Sequence, residues 1–111
     1  MLMAAAVGSG NPAPDPTKLT AYNYAVRCFF ANGRMAELLS RRGDLARAAT
    51  FRGNAQRSHQ GAVTLGRGAG LSDAQMALDL DAFQSLEPAR LVSDAAYFDK
   101  TASACKALGL M

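Results

Sequence analysis

The chain contains two cysteines and one histidine, the side chains that can form disulfides, bind metal ions or act in catalysis. Cys28 and Cys105 lie far apart and form no CxxC motif. A structural disulfide in an oxidising compartment therefore fits them better than a redox pair. Two free buried thiols, acting as small hydrophobic side chains in a cytosolic protein, are the alternative interpretation. If the bond forms, it stabilises the protein by roughly 2 to 4 kcal/mol.

Metal and cofactor chemistry has little support in the sequence. His59, the sole histidine, lies in a polar run flanked by arginine, which is typical of a solvated helix surface. No CxxCH motif and no four-ligand zinc pattern is found. The glycine run at 66–70 lacks the GK[ST] of a phosphate-binding loop, and no predicted strand precedes it. We therefore expect no cofactor, no metal site and no catalytic site.

The charged residues are divided along the chain. Residues 41–67 contain six arginines and a single aspartate, whereas residues 71–99 contain six acids and a single arginine. Asp79 and Asp81 are two residues apart and do not share a helix face, which excludes a paired acid/base site there. The arginines do not form a stripe, and Phe51 is the only aromatic residue among them, which argues against nucleic-acid binding. The two halves could attract each other within one chain or between two copies.

The composition predicts an all-α domain with one core. Half of the 111 residues are apolar, alanine is the commonest of them, and tryptophan is absent. The first helix is predicted over residues 17–41, with Asp15 and Pro16 as its start signal. The pair at 32–33, Asn-Gly, is its weak point, but the apolar period continues across it. Its apolar stripe contains Leu19, Tyr22, Val26, Phe29, Phe30 and Leu39.

Three further helices follow at short intervals. The second is predicted from about 45 to about 65, and the third begins with a capping box at Ser72 and Gln75. The third helix should end at Glu87, because Pro88 cannot continue it in a simple way. The fourth begins at Pro88 or at Ser93 and ends before Gly109. Together they predict a four-helix up-and-down antiparallel bundle, whose first and last helices are adjacent and tied by the disulfide.

One segment resembles a known helical repeat. In residues 35–55, Leu39, Gly43, Asp44, Ala48 and Ala55 are spaced as in a tetratricopeptide helical hairpin, where a glycine turn joins two helices. The segment departs from that pattern at Arg52, where an aromatic residue is expected, and at Gln60, where a proline is expected. What the resemblance implies is therefore a general αα-hairpin.

The domain boundary is predicted near residue 17. Residues 1–16 are interpreted as a flexible N-terminal arm or the remnant of a leader, and residues 17–111 as a single helical domain. No stretch approaches the length of apolar sequence that a membrane span needs. The interpretation of the N-terminal residues as a leader remnant, together with the two cysteines, favours a periplasmic or secreted location. A cytoplasmic location is the alternative.

Three functional hypotheses follow. The first is a non-enzymatic bundle with a structural or protein-interaction role, whose partner is another protein or a second copy in a homodimer. The second is a small-ligand or stress-response binding module with an apolar cavity between its helices. The third is a cytosolic adaptor whose arginine-rich half meets an acidic partner. The predicted cavity residues are Tyr22, Phe29, Met76, Phe83 and Phe98.

Overall fold

The computed structural model describes residues 15–111. In this range the chain forms four α-helices and no strand: α1 (Pro16–Arg41), α2 (Leu45–Gly68), α3 (Asp73–Ser93) and α4 (Ala95–Ala107). A disulfide joins Cys28 to Cys105. The predicted fold class, a four-helix bundle tied between its first and last helices, is confirmed. Nearly all of the predicted N-terminal arm lies outside the described residues.

Helix α1 starts and ends at the predicted signals. The carboxylate of Asp15 accepts hydrogen bonds from the backbone N–H groups of Thr17 and Lys18, at 2.9 and 3.3 Å. Pro16 follows as the first helical residue, where its fixed φ and missing N–H cost nothing. After α1, Gly43 takes a positive φ of 79° and turns the chain towards α2.

Helix α1 is the central element of the bundle, because it packs against all three other helices. Its closest partner is α2, which runs antiparallel to it. The ring of Tyr22 lies against Gly66 at one end of the pair, and Arg52 donates a hydrogen bond to Ser40 near the other. This confirms the αα-hairpin. Helix α2 continues to Gly68, three residues beyond its predicted end.

Helix α3 contains the clearest departure from the predicted boundaries. The capping box of Ser72 and Gln75 is present, but the helix does not end at Glu87 and runs through Pro88 to Ser93. A proline inside a helix loses one backbone hydrogen bond, at a cost of about 3 kcal/mol. The burial of Leu91 beyond Pro88 and the hydrogen bonds of Tyr97 to Glu87 just before it help to offset that cost. The prediction failed because tertiary packing overrode a local signal.

Helix α4 follows α3 almost without a loop. Asp94 alone separates the two helices, and its carboxylate caps α4 by accepting from the backbone N–H of Tyr97. Of the two predicted start points for this helix, Ser93 is close to the observed one and Pro88 is wrong. After α4, the amide of the fully buried Asn32 donates to the backbone carbonyl of Leu110 at 2.8 Å. This bond fastens the C-terminal residues to α1.

The core is small and is built largely from alanine around α1. Tyr22, Val26, Phe30, Met76 and Leu91 are its larger apolar members. Four leucine and valine residues that lie at helical spacing with the apolar residues of their helices are exposed, against the pattern: Leu45, Leu86, Val92 and Leu108.

Candidate functional site

The main cluster of buried polar groups lies where α1, α3 and α4 meet. Glu87 of α3 is only 5% exposed. The hydroxyl of Tyr97, on α4, lies 2.7 and 2.8 Å from its two carboxylate oxygens and donates to the carboxylate. The Nε of Arg27, on α1, lies 3.9 Å from Glu87 Oε1. The carboxylate is therefore held between one hydroxyl and one guanidinium, as a buried charge requires.

Both arginines at this junction lie over tyrosine rings. The guanidinium of Arg90 lies 3.7 Å from the ring centre of Tyr97, and that of Arg27 lies 5.5 Å from the ring centre of Tyr24. Such cation–π contacts stabilise a cation without neutralising its charge. The Nε of Arg27 is buried and has no hydrogen-bond partner. The junction thus holds more positive charge than Glu87 can balance.

A polar cavity of about 180 Å³ opens beside this cluster. Its lining comes from three helices and contains three cationic residues and three hydroxyl groups, with no acidic residue. Within residues 15–111, neither Arg90 nor Lys100 forms an ion pair. The lining residues are Tyr24, Arg27, Arg90, Tyr97, Lys100 and Thr101.

Burial and the neighbouring carboxylate change the acidity of Tyr97. Removal from water raises the pKa of its hydroxyl, and the hydrogen bond to Glu87 raises it further. The positive charges of Arg27 and Arg90 act in the opposite direction but are weaker. The net effect is a raised pKa, so Tyr97 remains a hydrogen-bond donor to Glu87 at neutral and mildly alkaline pH.

The five residues of the predicted apolar cavity do not share one cavity. Tyr22 and Met76 line a cavity of about 230 Å³ between α1, α2 and α3. Phe29 lines a second cavity, Phe98 a third and Phe83 a fourth. All five belong to the core or pack against it. Ligand binding by these residues stays a prediction, and only Tyr22 and Met76 lie in position to act together.

The cavity of Tyr22 and Met76 has a polar rim. The hydroxyl of Tyr22 donates to Asp79 at 2.9 Å, and its burial together with this bond strongly raises its pKa. Arg67 and Asp73 form an ion pair at 3.0 Å, which lowers the pKa of the carboxyl group. His59 lies exposed at the same rim, as predicted for a surface histidine.

The outward face of α3 forms an exposed surface with few charges. Leu78, Leu86 and Val92 are 70%, 71% and 59% exposed. Small exposed residues lie between them at helical spacing, and the charged residues Asp81 and Arg90 lie at the two edges of this face. We call this surface the α3 strip. It consists of Leu78, Ala82, Ser85, Leu86, Ala89, Val92 and Ser93.

Sequence reasoning missed the buried polar cluster, although part of the signal was present. Glu87 follows Phe83 by four residues and precedes Leu91 by four, so it lies on the buried stripe of α3. An acidic residue on an apolar stripe indicates a buried partner. Its partner Tyr97 lies on another helix, and no spacing rule links the two. The sequence predicts only a weak point of α1 at Asn32, whereas this residue is buried and links α1 to the C-terminal residues.

The comparisons with known proteins return nothing: no protein-family model, no curated protein and no solved structure matches this chain. In the part of the chain that the structure describes, no group of three or more histidine, cysteine or acidic residues could hold a metal ion. None of the four helices is long and apolar enough to cross a membrane.

Proposed function

We propose that this protein is a non-catalytic, disulfide-tied helical module that acts outside the cytoplasm and associates with a second copy of itself. The observation that carries the proposal is the α3 strip. Its three large apolar side chains are more than half exposed, although α3 also has a buried apolar face. A helix with apolar residues on both faces has one face left for another partner.

The order of residues in the strip favours a second copy as that partner. When two copies of a helix pair antiparallel about a two-fold axis, each residue of one copy faces a residue of the other. The two residue numbers of every such pair add to the same constant. The strip has the same spacing, four residues and then three, when it is counted inward from each end. The two halves are Leu78, Ala82 and Ser85 from one end, and Ser93, Ala89 and Leu86 from the other.

This arrangement matches large residues with small ones. With the axis between Ser85 and Leu86, Leu78 of one copy faces Ser93 of the other, and the two alanines face each other. Small residues at the centre let two helices approach closely. The centre of the strip has no charged residue, so the pairing brings no like charges together there.

The expected strength of the dimer follows from the exposed apolar surface. Covering the exposed 59 to 71% of Leu78, Leu86 and Val92 in both copies contributes roughly 6 to 12 kcal/mol, since full burial of such a side chain contributes about 1.5 to 3 kcal/mol. Association costs at least about 4 kcal/mol in lost freedom. The upper part of the range then leaves roughly 4 to 8 kcal/mol, which corresponds to a reversible dimer with a dissociation constant between millimolar and micromolar.

The disulfide supports the proposed location. A bond between α1 and α4 persists in an oxidising compartment and is reduced in most cytosols. A thiol titration of denatured, unreduced protein from its native host tests this directly. We expect no reactive thiol. Two reactive thiols would contradict the proposed location and favour a cytoplasmic one.

Sedimentation velocity over a concentration series tests self-association. We expect the wild-type protein to shift from monomer to dimer between micromolar and millimolar concentrations. Leu86→Glu should abolish the shift, because it places two like charges beside the two-fold axis. Leu45→Glu is the matched control, since Leu45 is 64% exposed on α2, away from the strip. A wild-type protein that stays monomeric throughout would overturn the proposal.

Cross-linking tests the register. Residue 86 lies next to the predicted axis, so Leu86→Cys should form an intermolecular disulfide under mild oxidation. Leu78→Cys should form far less of it, because its counterpart lies at the other end of the strip. Equal cross-linking of the two variants would contradict the antiparallel register.

A further inference from the structure

We propose that the polar cavity between α1, α3 and α4 binds a small phosphate-bearing anion. The proposal does not depend on self-association, although Arg27 and Arg90 of this site also lie beside Leu86, Ala89 and Ser93 of the α3 strip. Its three cationic residues come from three different helices: Arg27 from α1, Arg90 from α3 and Lys100 from α4.

The geometry places the charged groups close together. The Arg90 guanidinium lies 3.7 Å from the ring centre of Tyr97, and the Tyr97 hydroxyl touches Glu87. The Nε of Arg27 lies 3.9 Å from the same carboxylate. Arg27 and Arg90 therefore both lie near the Tyr97 side chain and line the same cavity. Lys100 is one turn from Tyr97 on α4 and lines the same cavity.

The balance of charge favours an anionic ligand. Three cations line the cavity and none of the six lining residues is acidic. The neighbouring Glu87 accepts from Tyr97 through both oxygens and faces Arg27, so its charge is already matched. Arg90 and Lys100 are left without a carboxylate partner in the described part of the chain. A bound dianion would relieve their mutual repulsion.

The donor set suits a phosphate group. Guanidinium groups offer planar pairs of N–H donors that match phosphate oxygens, and an ammonium adds a compact point charge. Tyr24 and Thr101 supply hydroxyl groups in the same lining. The cavity volume of about 180 Å³ equals that of roughly six water molecules, which is room for a phosphate and a short organic group.

Two sources could supply this chemistry, a soluble phosphate monoester and the headgroup of an acidic lipid. The experiment uses inorganic phosphate, glycerol 3-phosphate and vesicles with and without phosphatidic acid as probes. Thermal unfolding is followed for the soluble anions, against sodium chloride of matched ionic strength, and cosedimentation is followed for the vesicles. A ligand that binds only the folded protein raises the midpoint of unfolding.

Arg90→Gln and Lys100→Gln are the test variants, because both side chains are exposed and their loss should leave the fold intact. Each should weaken binding about tenfold or more, as expected for the loss of a charged hydrogen bond. Lys106→Gln is the matched control, since it removes the same charge from α4 without touching the cavity lining. Circular dichroism confirms that each variant is folded.

The outcomes separate clearly. A rise in the unfolding midpoint with the soluble anions, lost in the two test variants and kept in the control, supports the site and a soluble ligand. Binding to phosphatidic acid vesicles alone, with the same dependence on Arg90 and Lys100, supports the site with a lipid headgroup. Binding that persists unchanged in both test variants, or no binding by any probe, overturns the proposal.

Discussion

Tyr97 donates its hydroxyl hydrogen to the carboxylate of Glu87, 2.7 Å from one oxygen and 2.8 Å from the other. The contact joins α4 to α3 next to Pro88, where α3 lacks a backbone hydrogen bond. It therefore adds a contact between helices beside a position where α3 lacks one backbone hydrogen bond. Because Glu87 is buried, the hydroxyl cannot be replaced by bulk water without rearrangement.

Removing this hydroxyl should destabilise the protein. Tyr97→Phe leaves a buried carboxylate with only the distant Arg27 as partner, at an expected cost of about 1.5 to 3 kcal/mol. Urea unfolding at neutral pH measures the effect. Tyr24→Phe is the control, because within the described residues the Tyr24 hydroxyl forms no hydrogen bond, and its loss should cost under about 0.5 kcal/mol. Equal stability of the two variants would show that the Glu87 contact contributes nothing.

Two glycines of α2 should respond in opposite directions to alanine. A Cβ at Gly66 would overlap the sulfur of Met76 and lie 3.0 Å from the ring of Tyr22. Gly66→Ala should therefore destabilise the fold by about 1 to 3 kcal/mol. Gly61→Ala should stabilise it by roughly 0.5 to 1 kcal/mol, because nothing lies within 4 Å of the added carbon. Thermal unfolding of both variants measures the difference. A stabilising Gly66→Ala would mean that Met76 moves aside freely.

The disulfide should account for a large part of the stability. It links residues 77 positions apart, and its reduction should lower the free energy of unfolding by about 2 to 4 kcal/mol. Urea unfolding with and without reductant measures this. The double variant Cys28→Ala, Cys105→Ala is the control and should be insensitive to reductant. If reduction leaves the wild-type midpoint unchanged, the helices alone fix the fold.

Stability should fall above pH 10. Burial, reinforced by the bonds to Asp79 and Glu87, raises the pKa of Tyr22 and Tyr97 in the folded protein. An unfolded chain loses its tyrosine protons near pH 10, so above that pH it binds fewer protons than the folded state does. The stabilisation is fully present below pH 10 and is lost as the pH rises.

Urea midpoints between pH 8.5 and 11.5 test this. Tyr22→Phe should reduce the decline in stability with pH, since it removes one of the two groups that remain protonated only in the folded state. An absorbance titration of folded wild-type protein should show two tyrosines ionising above the usual value of about 10. If Tyr22→Phe leaves the decline of the urea midpoint with pH unchanged, Tyr22 is not one of the groups that cause it.

Local sequence signals determined where most helices begin and end. Asp15, Asp44, Ser72 and Asp94 cap the four helices through bonds to backbone groups no more than three residues away. Such contacts depend only on neighbours in the chain, so they can be predicted from the sequence. The apolar period likewise predicted α1 as one continuous helix, and the distance between the cysteines along the chain was compatible with their bond.

Tertiary packing decided the rest. Pro88 predicts a helix end, yet α3 continues through it, with the hydrogen-bonded Glu87 before it and the buried Leu91 after it held by other helices. The meeting of Arg27, Arg90 and Lys100 depends on how three helices cross, and those residues are separated by up to 73 positions in the sequence. The sequence by itself determined the helices and the all-α class, since these depend on contacts within a few residues. Only the tertiary structure decided which polar residues are buried and which leucines remain exposed, because packing between distant segments sets both.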